Sequence, residues 1–126
     1  MNIKFLNVDL DIESKQDISL MLKELGENIL ILHHEQNENF YFARLEIDRD
    51  VFNADKTINY FCDLIENLSE NSRITWGGCI SKIFDIGYES GKQQNNFTSK
   101  INSRTVKRIA KIGASLNITI YSINND

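Results

Sequence analysis

Val8, Leu10 and Ile12 alternate with Asp9, Asp11 and Glu13, the period-two pattern of a strand with one buried and one solvated face. The solvated side of that strand is purely acidic. Ser14 then reads as a helix cap, with Asp17 as a short version of the capping-box acid. Ile18, Met21, Leu22 and Leu25 fall on one helical stripe that Gly26 ends. Strands over 28–33 and 39–48 flank Glu35-Gln36-Asn37-Glu38, a connection polar enough for an antiparallel hairpin. Phe40, Phe42, Arg44 and Glu46 share one side of the second of these strands.

Asp55 is placed to cap a second helix, in which Ile58, Phe61, Cys62, Ile65 and Leu68 recur at helical spacing up to the polar segment 69–72. Residues 73–82, with Trp76-Gly77-Gly78, read as a turn leading into a strand that continues from Ile83 to Tyr88. Asp85, Gly87 and Glu89 lie on one side of it. A polar loop over 91–99 precedes a third helix capped by Asn102 or Ser103. Val106, Ile109, Ala110 and Gly113 point inward there, basic residues point outward, and a strand over 116–123 closes the chain. One unit occurs twice: an apolar helix ending in Gly followed by a strand three residues later, at Leu22 to Leu32 and again at Ile109 to Ile120.

The order is βαββαβαβ. Three helices with one apolar stripe each are best buried on one face of an antiparallel or mixed sheet of about five strands. The expectation is a two-layer α+β sandwich forming a single domain over 1–126. Placing Val8, Leu10 and Ile12 toward the helices leaves Asp9, Asp11 and Glu13 on the open face.

Composition adds bounds. A chain of 126 residues can bury about two thirds of its unfolded surface, so the two cysteines are not needed as a staple and read as reduced. No apolar run approaches the roughly 20 residues of a membrane helix, and the first residues lack a signal-peptide pattern, which sets a cytoplasmic expectation. Net charge is −4, but residues 100–111 hold five basic side chains and no acid, leaving nine basic and eighteen acidic side chains elsewhere, a net of −9. The domain body is distinctly acidic.

Little in the chain reads as chemistry. His33 and His34 are adjacent on a strand, so they point to opposite faces and do not easily share a metal. Cys79 follows two glycines, but no His is placed to activate it. Trp76-Gly77-Gly78 lacks the flanking residues of a phosphate loop. Catalytic residues, cofactor and metal are therefore all expected to be none. The basic helix 100–111 could contact nucleic acid, though the acidic body opposes phosphate.

Leu10-Asp11-Ile12-Glu13-Ser14, Arg73 to Trp76, Phe84-Asp85-Ile86-Gly87-Tyr88-Glu89-Ser90 and Val106 to Tyr121 resemble a family of small bacterial proteins that accompany polymorphic toxin and contact-dependent growth inhibition systems. The resemblance implies an immunity protein, which blocks a cognate toxin domain by binding it. Many such toxins are basic nucleases, and an acidic inhibitor would be steered toward them. The expected partner surface is Asp9, Asp11, Glu13, Asp85 and Glu89, with Phe40 or Phe42 as apolar anchors. The competing readings are a small ligand-binding or enzymatic domain, and a nucleic-acid-binding module.

Overall fold

The computed structural model describes residues 3–49, 53–92 and 96–123. Nine elements follow in the order β1 (Lys4–Ser14), α1 (Ser19–Leu25), β2 (Ile29–Gln36), β3 (Tyr41–Ile47), α2 (Ala54–Glu66), α3 (Glu70–Gly77), β4 (Ser81–Glu89), α4 (Ser103–Lys111) and β5 (Ser115–Tyr121). The strands form one sheet in the order β2-β3-β1-β4-β5. All neighbours are antiparallel except β4 and β5, which α4 joins as a parallel crossover. β1 is thus the central strand.

Val8, Leu10, Ile12, Ala43, Leu45, Ile47, Phe84, Ile86 and Tyr88 make up the covered face of the sheet. They form one core with Met21, Leu22 and Leu25 of α1, Ile58, Phe61, Cys62 and Ile65 of α2, Trp76 of α3 and Ile109 of α4. Phe61 and Phe84 meet across the layers with ring centroids 5.6 Å apart. The expected α+β sandwich is therefore the fold, with helices on one face, but it carries four helices instead of three.

The additional helix is α3, in the segment read as a turn entering a strand. Ser69 caps it by accepting from the Ser72 amide, and Glu24 of α1 accepts from the Ser69 amide and from the hydroxyls of Ser69 and Ser72. Trp76 lies in the last turn of this short helix, 5% exposed, and its indole N–H donates to the Ile112 carbonyl at 2.8 Å. Polar residues occupy most of α3, so no long apolar stripe marked it.

Other caps differ by a few residues. Ser14 is the last residue of β1, buried, and caps no helix; its hydroxyl accepts from the Gln16 amide at 3.0 Å. The carboxylate of Asp17 accepts from the Ser19 amide at 2.8 Å at the start of α1. Asn53, two residues before the expected Asp55, caps α2 by accepting from the Lys56 amide, while Asp55 lies in the first turn and accepts from the Asn102 amide at the start of α4. In α4 the inward residues are Thr105 and Ile109, whereas Val106 is 51% exposed and Ala110 is exposed too. The two helix-Gly-strand units end alike, with Gly26 at φ 96° and Gly113 at φ 74°, the left-handed region that glycine enters without a Cβ penalty. They lead into the two opposite edges of the sheet, β2 and β5. Of the polar loop expected over 91–99, residues 93–95 lie outside the described residues.

Candidate functional site

The uncovered sheet face gathers side chains from all five strands. Strand alternation and register put Asn7, Asp9, Asp11 and Glu13 of β1 beside Phe42, Arg44 and Glu46 of β3 on one side, and beside Ser81, Ile83, Asp85 and Gly87 of β4 on the other. His33 and Glu35 extend the face on β2, and Asn117, Thr119 and Tyr121 extend it on β5. Lys4 and Glu89 face each other at the far end. Among the described residues, seven carboxylates therefore share the face with two permanently basic side chains, Arg44 and Lys4. All the acids expected at the partner surface are brought together. Phe42 joins them, while Phe40 sits in the hairpin turn before β3, where Asn37 accepts from its amide at 3.0 Å.

The acids are not equivalent. Asp11 holds Arg44 through two bonds, Nε to Oδ1 at 2.8 Å and Nη2 to Oδ2 at 3.2 Å, in a bidentate pair. That guanidinium also lies 5.7 Å from the centroid of Phe42, whose ring meets the His33 imidazole at 5.8 Å. Glu46 accepts from the Asn7 amide group at 2.6 Å, and Asp85 accepts from the Thr119 hydroxyl at 2.7 Å. Asp9 lies directly opposite Asp85, and one of its oxygens, Oδ1, is buried without a hydrogen-bond partner. Burial, with Glu46 bonded to it and repelling it and Asp11 nearby, pushes its pKa up to about 7 despite the opposing pull of Arg44. Glu13 and Glu89 lie toward the two ends of this acidic row.

Gly87 flattens the face between Asn7 and Tyr121: an added Cβ would come within 3.2 Å of the Asn7 side-chain oxygen and 3.4 Å of the Tyr121 ring. Glu46 and Arg44 were visible as neighbours of Phe42 from alternation alone. Thr119 and Tyr121 could join the face only once β5 was known to lie parallel to β4, and no local signal in the sequence gives that pairing.

The other candidates resolve differently. Among the described residues, no group of three or more His, Cys, Asp or Glu is arranged to hold a metal ion. Cys62 and Cys79 are free and buried, and burial raises both thiols, Cys62 to about 11, so neither is held as a thiolate at neutral pH. His33 bonds Glu35 at 3.0 Å at the exposed sheet edge. On the basic helix, Arg108 does not point outward as expected. It reaches α2, bonding Asn59 at 2.8 Å, Asp63 at 2.7 Å and Glu66 at 3.0 Å, and its side chain is only 18% exposed. The outward basic face of α4 is reduced to Arg104, Lys107 and Lys111. Among the described residues no helix is long and apolar enough to cross a membrane.

No protein-family model, curated protein or solved structure matches this chain.

Proposed function

We propose that this chain is a non-enzymatic immunity protein that binds and neutralises a cognate bacterial toxin domain in the cytoplasm, with the open sheet face as the binding surface and a basic nuclease as the toxin. The observation that carries this reading is the concentration, among the described residues, of seven carboxylates on one open, five-stranded face that also offers Phe42 and Ile83. Five strands at about 4.8 Å spacing present a face on the order of 20 Å wide, the scale of a standard protein interface. Acid interleaved with apolar side chains accelerates encounter with a basic partner and then gives it somewhere to anchor. The same charges repel nucleic acid from the inhibitor while they occupy the cleft in which the toxin would hold it.

The test is co-expression with the toxin domain encoded immediately upstream. Survival of the host, together with a complex that elutes as one species, is expected. A soluble, folded protein that neither protects nor associates with that domain would remove the proposal.

A further inference from the structure

The two edges of the sheet differ in how they meet solvent. β2 is interrupted by a bulge between Ile31 and His33 and carries His33, His34 and Glu35, devices that discourage strand addition. β5 has none of these. It pairs with β4 without interruption from Ser115 to Tyr121, contains no residue charged at neutral pH, and has no strand on its outer edge among the described residues. Leu116, Ile118 and Ile120 lie on the helix side of the sheet, in register with the buried Phe84, Ile86 and Tyr88, yet are 40%, 64% and 61% exposed.

The position of α4 explains the exposure. Its Arg108 flank leans inward on α2, so the opposite flank, about 160° around at 100° per residue, turns toward the β5 edge. That flank carries the exposed Val106 and Ala110. The helical layer thus stops short of β5 and leaves an apolar shelf made of α4 and the last strand.

We propose that a second copy of this chain covers that shelf, through antiparallel pairing of β5 with β5 about a two-fold axis at Ile118. The strand runs over seven residues and Ile118 is its midpoint. Such pairing sets Ile118 opposite Ile118, Leu116 opposite Ile120, and Asn117 opposite Thr119, so apolar meets apolar on the helix side and polar meets polar on the open side. The two α4 helices then flank the seam and close the helical layer over six apolar strand side chains. Counting on the order of 100 Å² for each of Leu116, Ile118, Ile120 and Val106, plus the paired backbone edge and Ala110, each copy contributes roughly 500–600 Å², the low end of specific interfaces. A highly charged toxin is a poorer occupant, because β5 carries neither acid nor base to pair with it, whereas a second copy presents the same uncharged row. Both acidic faces remain free in this dimer, which does not depend on toxin binding.

Sedimentation velocity on the full chain from about 1 to about 200 µM should resolve a dimer of micromolar affinity. Ile118→Lys should weaken it by about two orders of magnitude, since two ammonium groups would face each other across the pair. Leu30→Lys on β2 should leave it unchanged. Ile118→Cys should cross-link on oxidation, the facing Cα atoms being within about 5.5 Å, whether or not the lysine variant folds. A wild-type monomer throughout the range, a dimer indifferent to Ile118→Lys in a folded protein, or failure of Ile118→Cys to cross-link would overturn the proposal. So would a β5 edge that becomes protected only when a different protein is added.

Discussion

Asp9 is the residue at which the open face holds an unresolved conflict. Its carboxyl is drawn into a partly desolvated row with Glu46 and Asp85, and its pKa of about 7 means that the fold favours the protonated form. An unfolded aspartate ionises near 4, so the folded state binds the proton more tightly. The stability that this proton supplies is fully present below about pH 4, is lost as pH rises through 7, and changes little above that. Asp9→Asn should therefore stabilise the protein at pH 8 by about 1 kcal/mol, after allowance for solvent screening, and have little effect at pH 4.5; urea denaturation at the two values measures the difference. Arg108 is the converse case, a charge whose partners are in place. Arg108→Met should cost about 1–2 kcal/mol by removing charge-assisted bonds to α2, while Lys107→Ala stays within about 0.5 kcal/mol, both read from denaturant midpoints.

At the scale of elements, side-chain caps set where helices begin, and these were the least legible features. Asn53→Ala should destabilise the protein by about 1 kcal/mol, lowering the melting temperature by a few degrees in a thermal scan, whereas Ser14→Ala should act through burial and not through a helix end. Alternation gave the strands and the sides of β1, β3 and β4 because a residue's face depends only on its neighbours two places away. The stripe Ile58, Phe61, Cys62, Ile65 gave α2 for a similar reason. What local pattern could not give was α3, whose eight residues are fixed by a carboxylate 45 positions earlier, at Glu24, and by one tryptophan. Nor could it give the exposure of Val106, which depends on α4 being pulled toward α2 by Arg108. The acidic half of the candidate site was readable before the fold. The contribution of β5 to it was not, because parallel pairing is decided by tertiary closure.

For the whole molecule, the charge separation between the open face and α4 makes two opposite electrostatic poles. Glu13→Lys, Asp85→Lys and Glu89→Lys together should slow association with a basic toxin domain by at least about 10-fold at low salt, and that loss should shrink as screening shortens to about 8 Å near physiological ionic strength. Arg104→Glu, Lys107→Glu and Lys111→Glu form the matched control, with Arg108 left in place because it braces α2. Stopped-flow rates against salt concentration read both sets, and a larger effect from the α4 set would reverse the assignment of the face. The central position of β1 has a further consequence, for the time course of synthesis. This strand leaves the ribosome before any of its partners, gains β3 after about 30 residues, and must wait until residue 89 has emerged for its other edge to close. Until then Val8, Leu10 and Ile12 sit on a three-stranded fragment that lacks β4 and α4, so the nascent protein passes through a stage in which its most buried strand is an edge.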